Sequence, residues 1–308
     1  MFRKNNFLNN VNNFLSWKTK RKIIVFESDD WGSIGMINKK NYGELLTKGI
    51  PVNNSLYSKL DSLEKRKDLD DLFNILKKHK NRDGINPKFT LNVVLSNPNF
   101  NEIKKNHYQY FVNEVFIDSY KKYYGENNFD LWSSAIGEKI IKPQFHAREH
   151  LNRFLWLNDL KKGNKKTLLA FDYNYFGAGL ETSRFLNKNY LATYNASNGN
   201  EQNLIKKNLK IGLTEFSEIF GFRSKTFIAS NYTWSSDLNK TLKDEKIIGI
   251  QGQRVQISPN YTENNFKKIR HYTGKRNIYN QIYTVRNTIF EPYSNLKVNW
   301  VEKTIKDI

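Results

Sequence analysis

Arg21-Lys-Ile-Ile-Val-Phe-Glu-Ser-Asp-Asp-Trp-Gly-Ser33 is the stretch on which the fold turns. Ile23 to Phe26 form a short apolar run rich in β-branched residues, the pattern of a buried strand and not of an amphipathic helix. The run stops in Glu27, Ser28, Asp29 and Asp30. Adjacent carboxylates at the end of a buried strand are costly, because like charges in a poorly solvated place cannot both ionise freely. A cation between them, or a shared proton, removes that cost. Asp-Asp-Trp-Gly also suits a solvated turn. What separates the two lies downstream, at His146 and His150.

Outward from this stretch the chain alternates strand and helix patterns. Leu56, Leu60, Leu63, Leu72, Phe73 and Leu76 mark one long helix, or two in series, ending near Asn81 to Gly84. Phe89 to Leu95 reads as a second strand closed by Ser96-Asn97-Pro98, and a helix is expected within 129–139. Ile140 to Phe145 is a third strand with His146 at its end, followed by a helix carrying Leu151, Phe154, Leu155 and Leu157. Leu168 to Tyr173 is a further strand candidate. From Asn200 to Phe220 the spacing predicts a helix with Leu204, Leu209, Leu213, Phe216 and Phe220 on one side and Gly221 as its stop. A strand at Lys225 to Ala229, a helix around Ser235 to Leu242 and a strand at Ile247 to Ile250 complete the series, and Trp300 opens a last helix. Such alternation points to an α/β fold with a mainly parallel sheet or barrel. In these folds functional groups gather at the C-terminal ends of strands, where Asp29, Asp30 and His146 fall. One domain over 1–308 is expected, with residues 1–20 as an N-terminal helical extension and the polar segment 253–280 as an insertion loop.

Composition narrows the function classes. Cysteine is absent, which excludes disulfides, thiolate metal sites and a cysteine nucleophile. A net charge of +20 favours an anionic partner such as nucleic acid, a membrane surface, a nucleotide-sugar or an acidic glycan, although Lys and Asn are abundant throughout, as in AT-rich coding sequences. The lysines are scattered, so the clustered basic face of a specific nucleic-acid binder is not expected. Apolar runs fall short of the ~18 residues of a membrane span. Phe7, Leu8, Val11, Phe14, Leu15 and Trp17 recur at helical spacing without the h-region of a signal peptide. They suit a helix packed on the domain or, given Lys18, Lys20, Arg21 and Lys22, one resting on a membrane surface. A cytoplasmic protein, with the inner membrane face as a possible station, is the expectation.

The segment His146-Ala-Arg-Glu-His150 places two imidazoles four residues apart in a chain with five histidines. In the first turn of a helix that spacing puts both on one face, able to grip one metal, and a solvated pair is the alternative. Together with Glu27-Ser-Asp-Asp30, the chain resembles the polysaccharide deacetylase family, the NodB-type carbohydrate esterases, whose motifs are Thr-Phe-Asp-Asp and His-(Ser/Thr)-x-x-His. Ser28 stands where the family has an aromatic residue, and Ala147 where it has a hydroxyl. The resemblance runs through about 22–290 and implies an irregular (β/α) barrel. It implies Asp30, His146 and His150 as ligands of a divalent transition ion, Zn2+ the one expected, with Asp29 as general base. Three ligands with an open position leave room for a water whose pKa the cation lowers.

By the same resemblance Arg223, in Phe222-Arg-Ser-Lys-Thr-Phe, matches the arginine that orients the base, without that motif's Pro and Gly. Trp31 and Trp234 stand where aromatics could stack on a sugar ring, with core packing as the alternative. The family's closing Leu-x-His motif does not follow, which implies truncation, another proton donor or lost activity. His271, the nearest substitute, reads as a surface histidine in a loop. The implied activity is metal-dependent removal of an acetyl group from an N-acetylated or O-acetylated sugar, nucleotide- or lipid-linked, in surface-glycan biosynthesis. Two other readings stay open. One is a catalytically impaired glycan-binding or scaffold protein. The other is a zinc metallopeptidase of the His-x-x-Glu-His kind with Glu149 as base, which requires both histidines inside a helix.

Overall fold

The structure, a computed structural model, describes residues 14–177, 189–263 and 265–307. Its strands are β1 (Phe26–Trp31), β2 (Phe89–Val94), β3 (Ser96–Pro98), β4 (Asn113–Val115), β5 (Ile141–Ala147), β6 (Thr226–Ile228), β7 (Gly249–Gly252), β8 (Val255–Asn260), β9 (Asn265–Arg270) and β10 (Ile282–Val285). Six of them form one sheet in the order β1-β2-β5-β6-β7-β10, every neighbouring pair parallel. The fold is therefore α/β, as the alternating pattern implies. Between β5 and β6 the ladder is short because the Gln144 side-chain oxygen takes the N–H groups of Lys225 and Thr226, both at 2.9 Å, in place of backbone partners.

The sheet curls. Laid flat, six strands at ~4.8 Å spacing would hold the two edges roughly 24 Å apart. Yet Arg286, the residue after β10, bonds Glu27 at 3.2 Å and Asp29 at 2.6 Å on β1, the opposite edge.

Helices α1 (Lys39–Thr47), α2 (Leu56–Leu60), α3 (Arg66–Lys78), α4 (Phe100–Lys105), α5 (Phe116–Tyr124), α6 (Phe129–Gly137), α7 (Arg153–Lys161), α8 (Lys165–Asp172), α9 (Gly199–Phe220), α10 (Leu238–Asp244) and α11 (Trp300–Asp307) complete the described chain. Leu91, Val93, Phe145 and Phe227 of the sheet pack with Phe116, Trp132, Phe216 and Phe220 in one apolar cluster. A second cluster joins Leu45, Phe100, Trp156, Phe171 and Tyr190, and so ties α1, α4, α7 and α8 together. Each such side chain, fully buried, stabilises by about 1.5–3 kcal/mol. Among the described residues no helix is long and apolar enough to cross a membrane.

Several expectations are corrected. Ile23, Ile24 and Val25 are 49%, 60% and 65% exposed, and the strand begins only at Phe26, paired with Phe89. Pro87, two residues before Phe89, denies the upstream apolar run a ladder partner. The segment 168–173 is not a strand but the later part of α8 with its C-cap Tyr173: Asn164 caps the first turn at Lys166 and Thr167, and Thr167, Ala170 and Phe171 are buried at helical spacing. On α9 the buried face carries Ile205, while Leu204 is exposed. Gly221, at φ 72, closes that helix as expected. The expected insertion loop 253–280 contains the antiparallel hairpin β8–β9. Of the expected N-terminal helix, residues 1–13 lie outside the described residues, and Phe14, Leu15 and Trp17 are exposed.

Candidate active site

The carboxylate pair stands inside the last turn of β1, where strand geometry is broken on purpose. Glu27 and Asp29 share one face by ordinary alternation and both meet Arg286. The ladder with β2 slips between Ser28 and Trp31, and Asp30 adopts φ 67. Such a bulge re-aims a side chain, and a left-handed aspartate is tolerated at a cost the surrounding structure must enforce. A second slip occurs in the neighbouring ladder, where Val93 pairs with Phe145 but Val94 with Ala147, leaving His146 at the irregularity. Two bulges at the C-terminal edge of adjacent ladders thus bring Asp30 and His146 face to face. Gly32, at φ 82, follows at once; a Cβ there would lie 2.6 Å from the Val94 carbonyl.

Asp30 Oδ1 lies 3.0 Å from His146 Nε2 and 3.3 Å from His150 Nε2. The three ligand atoms fall within 4.8 Å of one another, a spacing that one cation can bridge. The helical expectation for the histidine pair is corrected: His146 belongs to β5, and His150 stands in the loop before α7. His146 Nδ1 lies 2.8 Å from the Ile228 carbonyl. A carbonyl only accepts, so Nδ1 carries the proton and Nε2 presents a lone pair toward Asp30, unless the ring is charged. With the ring neutral that lone pair can take a cation shared with Asp30; with the ring charged, Nε2–H donates to Asp30 Oδ1 at 3.0 Å. The donor set of two imidazole nitrogens and one carboxylate oxygen fits a divalent transition ion, and the carbonyl behind His146 is the outer-shell partner that such a ligand requires.

Access is one-sided. The His146 and His150 side chains are 3% and 10% exposed, against 40% for Asp30, so the group is anchored from below and reachable from above. Desolvation pushes the Asp30 carboxyl up, but His150 and His146 outweigh it and hold it well below the carboxylate range. Burial pushes both imidazoles down; the bond and charge of Asp30 overcome this at His146 but not at His150.

Asp29 is clamped. Arg286 Nη1 donates to its Oδ2 at 2.7 Å, Arg286 Nη2 to its Oδ1 at 2.6 Å, and the fully buried Asn92 amide to Oδ1 at 2.8 Å. A carboxylate has about four lone-pair positions, so one on Oδ2 stays open. Burial raises the Asp29 carboxyl, and the Arg286 bond, His146 and the Arg286 charge outweigh it, so the group stays ionised.

Other expected residues lie elsewhere. Arg223 is exposed, before the start of β6, and the arginine on Asp29 is Arg286. Trp234 is 2% exposed and stacked on His271, so it serves the core and offers no free face for a sugar, whereas Trp31, packed edge-to-face with Trp132 at 5.9 Å, is only partly buried. His271 is not on the surface: it is 3% exposed, lies 3.8 Å from the Tyr283 ring and bonds Gln256. Glu149 turns to Asn208 at 2.8 Å and to Asn113 at 3.3 Å, and the non-helical histidines depart from the geometry of a His-x-x-Glu-His peptidase. Sequence reasoning missed Asn92, Arg286, Tyr57 and Tyr232. Tyr57 donates to Glu291 at 3.1 Å, and burial, Glu291 and more weakly Asp30 push its phenol up to about 12. Their signals are faint, an asparagine within β2, an arginine after the last sheet strand, a tyrosine in the short helix α2 and one in the turn after β6, and none forms a motif.

No protein-family model matches the chain, and no curated protein matches it. Among solved structures, the crystal structure of 4-alpha-glucanotransferase from Thermococcus litoralis is similar over 74% of this chain, at 8% identity and a TM-score of 0.35. The chain spans 22% of that protein's length, and a likeness of this degree does not bear on activity.

Proposed function

We propose that the protein is a metal-dependent carbohydrate deacetylase, which hydrolyses an N-acetyl or O-acetyl group from a sugar on an irregular (β/α) barrel of the polysaccharide deacetylase kind. The observation that carries this reading is Asp30 Oδ1 flanked at 3.0 and 3.3 Å by two imidazole Nε2 atoms, with the clamped Asp29 next to it in sequence. Asp30, His146 and His150 would hold the ion. When bound, a divalent ion supplies Lewis acidity, lowering the pKa of water and polarising an acyl carbonyl.

Asp29 takes the proton of the attacking water on its open Oδ2 position. Arg286 and Asn92 keep that oxygen aimed and the carboxylate ionised. The new C–O bond forms at the acyl carbon, the bond to nitrogen (or to the ester oxygen) breaks, and the proton held by Asp29 passes to the leaving group. The net charge of +20 suits an anionic carrier, so the sugar is read as nucleotide- or lipid-linked and met in the cytoplasm or at the inner membrane face.

The test pairs elemental analysis with acetate release from an N-acetylhexosamine carried on a nucleoside diphosphate. His146→Ala should lose the bound ion. Asp29→Asn should keep it while turnover falls by about 10²–10⁴-fold. Unchanged ion content in His146→Ala, or full turnover in Asp29→Asn, refutes the reading.

A further inference from the structure

The turn after β6 places two left-handed residues in succession beside the site. Asn231 and Tyr232 both hold positive φ, 52 and 51, consecutive and neither glycine. For a bulky residue this is a true outlier, and such strain persists only where flanking structure enforces it. Here both flanks are pinned. Ile228 is paired to β7 and receives His146 through its carbonyl, while Thr233 bridges to Ile257 and Trp234 N–H donates to the Ile257 carbonyl at 3.0 Å.

What the strain achieves is the placement of one phenol. The Tyr232 ring packs beside Gly252, where an added Cβ would come within 3.8 Å of it. Its hydroxyl oxygen accepts from Arg286 Nη1 at 3.3 Å, and the same nitrogen donates to Asp29 Oδ2 at 2.7 Å. One guanidinium nitrogen therefore sets the distance between the base and the phenol. Because Arg286 can only donate, the Tyr232 oxygen is an acceptor in that bond and its own proton is not spent there; the Gln253 side chain is the hydroxyl's other partner, one that an incoming acyl oxygen would have to share or displace. Burial pushes the phenol up, the Arg286 charge opposes this, Asp29 adds to the rise, the Gln253 bond lowers it and Asp30 raises it slightly, with a net upward shift, so the hydroxyl keeps its proton.

We propose that the Tyr232 hydroxyl donates a hydrogen bond to the carbonyl oxygen of the acyl group under attack, which makes Tyr232 a catalytic residue. The assignment rests on the deacetylase reading and adds the donor that the reading lacks. As the new C–O bond forms, the carbonyl electron pair moves onto its oxygen, where the phenolic O–H meets it; as the pair returns, the bond to the leaving group breaks. Tyr232 keeps its proton throughout, and the water proton travels by way of Asp29. A preorganised donor aimed at that oxygen is worth most where charge develops and water is partly excluded.

Tyr232→Phe removes the donor and keeps the ring. In deacetylation kcat should fall by about 10²–10³-fold with KM little changed. A second readout does not depend on turnover: calorimetric titration of the cation-loaded protein with methylphosphonate, a tetrahedral oxyanion. Its affinity should weaken about tenfold or more in Tyr232→Phe, the effect of one hydrogen bond to a charged group. Retained ion content and unchanged thermal unfolding would show that the variant is folded. Equal phosphonate affinity in the two proteins overturns the assignment, as does a kcat within about twofold of the parent's. Should the parent release no acetate at all, the deacetylase reading falls, and the phosphonate comparison still decides whether Tyr232 is an oxyanion donor.

Discussion

Replacing Arg286 by methionine keeps the stem and deletes the guanidinium. Glu27 and Asp29, 16% and 21% exposed in side chain, then face each other across a space that held their common counter-charge, with Asp30 next in sequence. Removing one partner of a buried ion pair costs ~3–5 kcal/mol, because the remaining charge stays buried without compensation. Arg286 itself is 20% exposed, and solvent screening places the expected loss at the lower end, about 3 kcal/mol. For a chain of 308 residues roughly 2 °C of melting temperature goes with each kcal/mol, which gives a fall of about 6 °C. Differential scanning calorimetry near neutral pH measures it. A second variant locates the cause: Glu27→Gln and Asp29→Asn, added to Arg286→Met, should recover half or more of the loss, since the penalty is uncompensated charge and not lost packing. Arg286→Lys should fall between, because one ammonium cannot span both carboxylates. A melting temperature within about 1 °C of the parent's, or no recovery on neutralising the acids, would refute the reasoning.

His271 gives a pH dependence. Burial, then the Lys275 charge, holds its imidazole at about 4 in the folded chain, and an unfolded histidine takes its proton near pH ~6.5. Stability is therefore full above that value and declines as the pH falls toward the folded pKa, by at most ~1.4 kcal/mol per unit. Urea midpoints across this range should show a slope that His271→Phe removes; equal slopes in the two proteins would rule it out. Gly32→Ala should destabilise by about 1–2 kcal/mol from its left-handed backbone alone, with more from the clash against the Val94 carbonyl and Phe116. Chemical denaturation reads this directly, and an unaltered midpoint would contradict the described bulge.

The three candidate ligands were legible because their chemistry is rare and local: an acid pair closing an apolar strand, and two of five histidines four residues apart. What brings them together was not legible, since the spacing of His146 and His150 suggested one helix face while a strand end and a loop do the work. The parallel sheet followed from alternation, yet local apolarity misled twice. Ile23 to Val25 have strand composition without a partner strand, and Leu168 to Phe171 have strand composition inside a capped helix. The orienting arginine was sought where a motif placed it, at Arg223. The bond instead spans the chain from residue 29 to residue 286, and no sequence window contains both ends.

That span has a consequence during translation. Asp29 leaves the ribosome 257 residues ahead of the arginine that neutralises it. Throughout synthesis the N-terminal acids have no permanent cation from their own polypeptide, and folding of this corner waits on closure of a very long loop. A nascent chain that stalls before residue 286 would carry both histidines and all three acids and still leave its base unoriented. Competence is thus conferred late, by a residue that emerges only after the last strand of the sheet.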